Sequence, residues 1–74
     1  MGEMRILGEK GDQKMIWDPK NKDEVEVNKT LFQTLKDKGY KAFKVDKKGD
    51  PGKEIKAFDA KAGKIIMVPA LVGG

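Results

Sequence analysis

Asn21-Lys22-Asp23-Glu24-Val25-Glu26-Val27-Asn28-Lys29-Thr30-Leu31-Phe32-Gln33-Thr34-Leu35-Lys36-Asp37-Lys38-Gly39 is the stretch on which the fold turns. It carries helix signals at both ends. Asn21 suits an N-cap, because its side-chain oxygen can accept from the backbone N–H groups of a first turn. Glu24, three residues on, completes a capping box by reaching back to the Asn21 N–H. Asp23, Glu24 and Glu26 crowd the start and Lys36 and Lys38 the end, so both termini match the helix dipole. Gly39 stands where a left-handed residue closes a helix. These signals predict a helix over about 22–38. Val27, Leu31 and Leu35 recur at four-residue spacing, with Phe32 and Val25 beside them. A helix with one apolar stripe lies on something.

Outward from the helix the period changes to that of strands. On the N-terminal side, Met4-Arg5-Ile6-Leu7 and Lys14-Met15-Ile16-Trp17 flank the glycine-bounded turn Gly8-Glu9-Lys10-Gly11-Asp12, so residues 3–18 read as a β-hairpin. Asp18-Pro19 stops it, since proline cannot extend a ladder. On the C-terminal side, Tyr40 to Val45 reads as a strand, 46–53 as a long polar turn, Glu54 to Phe58 as a weaker strand and 59–63 as a further turn. Lys64 to Val68 is the most apolar strand, which argues for a central, covered position. The fold class is α+β: strand, strand, helix, strand, strand, strand, with one helix across a mixed sheet. Leu31, Phe32, Leu35, Phe43, Val45, Ile55, Ile65 and Met67 are the expected core, with Ile6 and either Met15 or Ile16. Trp17 and Tyr40 sit at element boundaries, read as partly buried core edge or as exposed anchors. Phe58 is read as core or as part of the open sheet face.

Seventy-four residues make one domain near the lower size limit for a single core. Charged and hydrophobic residues each make up 38% of it, so the core is small and the surface heavily charged. Cysteine and histidine are both absent. That removes thiolate chemistry, the commonest general base at neutral pH and the commonest metal ligand. The carboxylates are accounted for by helix capping and turns. The chain is therefore expected not to be an enzyme and to hold no metal or cofactor. No apolar run is long enough to span a membrane and no signal peptide opens the chain, so a cytoplasmic protein is expected.

The net charge of +4 is unevenly spread: residues 1–35 carry six bases and seven acids, residues 36–64 ten lysines against five acids. Arg5 is the only arginine. A lysine surface without arginine forks or interleaved aromatics suits loose electrostatic docking better than specific nucleic-acid reading. Gly49-Asp50-Pro51-Gly52-Lys53 fails as a phosphate loop, because its spacing is wrong, Glu54 follows the lysine, and it leads into a strand rather than a helix.

The chain ends in Ile65-Ile66-Met67-Val68-Pro69-Ala70-Leu71-Val72-Gly73-Gly74. A pair of glycines can thread a tunnel that any side chain would block. With this tail and this element order, the chain resembles the β-grasp, ubiquitin-like proteins. The tail itself is similar to that of the sulfur carriers: the small subunit of molybdopterin synthase, the thiamine-pathway carrier and the archaeal small modifiers. Ala70 and Val72 stand where those carriers usually show a second proline or a serine, and 46–63 lacks the leucine-rich stretch expected of them. The resemblance implies a β-grasp domain over 1–69, a flexible tail over 70–74, and Gly74 as the residue activated, with Gly73 as spacer. It implies a monomer that uses no cofactor of its own, an adenylating partner enzyme that consumes ATP, and an acceptor protein or sulfur-transfer partner. The competing expectation is a non-covalent interaction module that uses its basic face or open sheet face to bind an acidic protein or, second, nucleic acid.

Overall fold

The computed structural model describes residues 1–8, 11–45 and 52–69. Its elements are β1 (Gly2–Ile6), β2 (Gln13–Trp17), α1 (Lys22–Asp37), β3 (Lys41–Val45), β4 (Glu54–Ile55) and β5 (Lys64–Val68). The strands form one mixed sheet in the order β2-β1-β5-β3-β4. β5 is central, parallel to β1 on one side and antiparallel to β3 on the other. The chain is thus a small α+β unit with one helix and a mixed five-stranded sheet, compatible with a β-grasp.

The helix ends are built largely as their sequence dictates. The Asn21 side chain accepts from the backbone N–H groups of Asp23 and Glu24 at 3.0 and 3.2 Å. The box closes differently from its usual form. Glu24 Oε1 takes the N–H of Asp18 at 2.8 Å, and the Asn21 N–H goes to the Asp18 carbonyl at 2.8 Å. At the far end Gly39 adopts φ +98°, a conformation that a Cβ would penalise. The N–H groups of Gly39 and Tyr40 then donate to Lys36 and Leu35 carbonyls at 2.9 and 3.0 Å, the paired bonds of a Schellman closure.

The apolar stripe departs from the expected row. Asn28, Phe32 and Leu35 are the buried helix residues, whereas Val27 is 58% exposed. Spacings of three and four track the 3.6-residue turn, while a strict four-residue row rolls off it by about 40° per step. Val27, two such steps from Leu35, ends on the solvent side, and Leu31 only half-way in.

The core lies between α1 and one face of the sheet: Met4, Ile6, Trp17, Phe32, Leu35, Ala42, Ala62, Ile65 and Met67. Trp17 is completely buried, so it is neither an edge residue nor an exposed anchor. Its indole fills the space beside Gly2, where an added Cβ would collide with the ring. Phe43 was expected in this core and is not. Its register places Ala42 opposite Met67 and Phe43 opposite Ile66, so the alanine faces the helix and the phenylalanine the open side. Val45 is buried but stands outside the main cluster, opposite Lys64. Of the pair Met15 and Ile16, Met15 packs on the core and Ile16 is exposed.

β4 stops at Ile55 rather than running to Phe58, and the chain then turns beneath the sheet. The Phe58 ring lies 4.9 Å from Trp17 and 5.8 Å from Phe32, which puts it on the helix side. Trp17 Nε1 donates to the Ala60 carbonyl at 2.9 Å. Ala62 is buried, its N–H donating to the Asp59 carbonyl at 3.0 Å. Residues 56–63 therefore supply a second cover beside the helix.

Candidate functional site

Gly73 and Gly74, the expected site, lie outside the described residues, as does the rest of 70–74. What the structure describes is the approach to them. β5 is held by β1 as far as Met67 and by β3 as far as Val68, which pairs with Lys41, and the ladder ends there. Pro69 follows and has no N–H to continue it. β5, the strand that precedes these residues in the chain, is thus the central strand of the sheet.

The other distinctive region is the face of the sheet that α1 leaves open. Strand pleating and register bring Glu3, Arg5, Lys14, Ile16, Lys64 and Ile66 to this side. Glu3 is its electrostatic centre. Its carboxylate lies 3.0 Å from Arg5 Nε, 3.7 Å from Lys14 Nζ and 3.9 Å from Lys64 Nζ. The Arg5 hydrogen bond, assisted by the attraction of Lys14 and Lys64 and opposed by partial desolvation, holds the Glu3 carboxyl below its ordinary pKa. Next to this group runs an apolar row. Ile66 stands between Arg5 and Phe43, and Val68 beside Lys41. Ile16, paired with Glu3, is 49% exposed.

Sequence reasoning put the basic surface in residues 36–64, but the fold divides it. Lys36 closes the helix, Lys44 pairs with Asp59 at 3.2 Å, and Lys64 joins Glu3. Lys47 and Lys48 lie outside the described residues. The Lys61 backbone N–H and the Lys44 ammonium both bond the Asp59 carboxylate and hold its pKa below the ordinary value. The cationic group on the open face draws Arg5 and Lys14 from the charge-balanced first half, which sequence counting missed. The available signal was their alternation, with Glu3 and Arg5 two apart on one strand and Lys14 across the turn.

A cleft of about 510 Å³ lies on the other side of the sheet, between the helix residues Glu26, Lys29, Gln33 and Asp37 and the rings of Phe32 and Phe58. Gln33 Nε2 bonds Asp37 Oδ1 across its rim at 3.1 Å. Among the described residues no group of three or more Asp and Glu is placed to hold a metal ion, and no helix is long and apolar enough to cross a membrane. No family model, no curated protein and no solved structure matches this chain.

Proposed function

We propose that this chain is a carrier or modifier of the ubiquitin-like kind, with a β-grasp domain over 1–69 and Gly74 as the residue that is activated. The observation that supports the reading is the path into the tail. The central strand β5, clamped between β1 and β3, leads through Pro69 straight into Ala70-Leu71-Val72-Gly73-Gly74. A rigid strand followed by a side-chain-free end can deliver a carboxylate into another protein's active site. In that site the carboxylate attacks the α-phosphorus of ATP and releases pyrophosphate. Hydrosulfide or a lysine amine then attacks the acyl carbon and displaces AMP with loss of a proton, giving a thiocarboxylate or an isopeptide bond. Under this reading the chain supplies no catalytic group. The partners are the adenylating enzyme and an acceptor protein or sulfur-transfer protein, and the working protein is a cytoplasmic monomer.

The test begins with the intact mass of the native protein, because the reading requires a free carboxylate on Gly74. The full chain is then incubated with ATP and extract of its own cells. The expected products are a species heavier by the sulfur-for-oxygen difference, or conjugates of higher mass. Gly74→Ala should reduce them without altering the unfolding curve, and deletion of Gly73 and Gly74 should abolish them. A folded wild-type chain that yields neither product would overturn the reading.

A further inference from the structure

We propose that the open face of the sheet around Glu3 docks an acidic protein segment that also carries apolar side chains, and that Glu3 is a built-in competitor for the cations that receive it. This inference goes beyond the carrier reading and needs none of residues 70–74.

Three features of the face converge on that occupant. The first is unused donor capacity. Arg5, Lys14 and Lys64 surround one carboxylate, yet only the Arg5 contact, at 3.0 Å, is within hydrogen-bond distance. A guanidinium has five N–H donors and each ammonium three, far more than one carboxylate can engage. The cluster holds three positive charges against the one on Glu3. Lys41, opposite Val68 on the same face, adds a further cation, and Glu54, opposite Phe43, a second anion among the described residues. The second feature is access. The side chains of Arg5, Lys14 and Lys64 are 40–52% exposed, so an incoming anion reaches them without rearrangement of the fold. The third is the apolar row of Ile66, Phe43 and Val68 beside the cations, with Ile16 across β1 from it. A ligand that offered charge alone would leave this row wet, whereas one that alternates carboxylates with leucine-like residues covers it.

The same features disfavour nucleic acid. The face has one arginine, and Phe43, its one aromatic ring, is half-buried between strands, so it has no platform on which successive bases stack. Glu3 then acquires a role. It keeps the cations arranged while the face is empty, and its negative charge opposes an incoming carboxylate that reaches their unused donors. It therefore lowers affinity for weakly acidic surfaces and sets a threshold of charge that a partner must exceed.

The experiment uses the full-length chain and a short fluorescein-labelled peptide repeating Asp-Glu-Leu, read by anisotropy at fixed moderate salt. Glu3→Gln keeps a group that can hydrogen-bond Arg5 but removes the competing charge. It should tighten binding by about fivefold, the scale of one like-charge interaction near a protein surface. Lys14→Ala and Lys64→Ala should each weaken it by about threefold, and Ile66→Thr should also weaken it. Lys29→Ala on the helix and Gly74→Ala should leave it unchanged, so failure here is distinguishable from failure of the carrier reading. Intrinsic fluorescence of the buried Trp17 confirms that each variant is folded. Unchanged or weaker binding by Glu3→Gln would overturn the proposal. So would equal affinity for charge-matched oligouridine RNA, or equal affinity for a peptide in which serine replaces leucine.

Discussion

The two faces of this sheet are made by the same five strands and obey different physics. On the covered face, Met4, Trp17, Ile65 and Met67 have no solvent exposure, and the one buried polar residue among the described residues, Asn28, lies on the helix above it. On the open face, Glu3 and its three cations are held by charge at distances up to 3.9 Å and remain partly exposed. Burial stabilises in proportion to apolar area removed from water. Exposed ion pairs are weakened by solvent and salt and contribute little. The covered face should therefore carry the stability, and the open face is free to serve recognition.

Substitutions at Trp17 test that division most severely. Trp17→Ala removes the largest fully buried side chain and the hydrogen bond to the Ala60 carbonyl, and it leaves Phe58 with only the Phe32 ring against it. A loss of about 4 kcal/mol is expected. In so small a domain that approaches the whole stability, and chemical denaturation should show a protein unfolded or nearly so in the absence of denaturant. Gly2→Ala probes the same contact from the other side. Its Cβ would enter the Trp17 ring, so either strand β1 or the indole must shift. About 2 kcal/mol should be lost, read as a lower denaturant midpoint with an unchanged slope.

A smaller effect of opposite sign is expected at Asn28. Its Nδ2 donates to the Glu24 carbonyl at 2.9 Å, but Oδ1 is buried without a partner. An unsatisfied buried acceptor costs free energy that a leucine, with the same branching and no polar atoms, would not. Asn28→Leu should raise stability by about 1 kcal/mol. A fall instead would mean that the bulkier leucine overpacks the site or that a buried water satisfies Oδ1.

The smallest effect belongs to the open face and its margin. Glu3 and Asp59 have folded-state pKa values below their ordinary ones. A lowered carboxylate pKa stabilises the fold at pH values above the unfolded pKa, near 4, and that contribution disappears as pH falls through the lowered folded value. Acid should therefore erode stability gradually, and less so in high salt, since both groups are accessible to solvent. The double variant Glu3→Gln, Asp59→Asn should flatten this slope and lower neutral-pH stability by the same small amount that the slope represents. A steep acid transition that survives the double substitution would place the sensitivity elsewhere.

The helix was legible from local chemistry, because Asn21 and Gly39 act on their immediate backbone neighbours and need no tertiary context. β5 was legible because an unbroken apolar run has few other destinations. The candidate site was less so. Arg5 and Lys14 lie nine residues apart in the chain and meet only through the hairpin register, in which they pair directly. Phe43 and Ala42 show the same limit. Lys41 and Lys44 fall on opposite faces of this strand, so either phase looks acceptable, and the partner strand decides which residue enters the core.

By itself, then, the chain determined the order of its elements, the helix boundaries, the central apolar strand and the tail that ends in Gly73-Gly74, since each depends on interactions within a few residues. Only the tertiary structure decided that Trp17 lies buried against Gly2 and Phe58, that Asn28 faces inward where Val27 faces water, and that Glu3 gathers Arg5, Lys14 and Lys64. Those outcomes depend on the crossing of the helix and the register of β1 with β2 and β5. Such pairings join residues far apart in sequence, and the period of a single segment does not encode them.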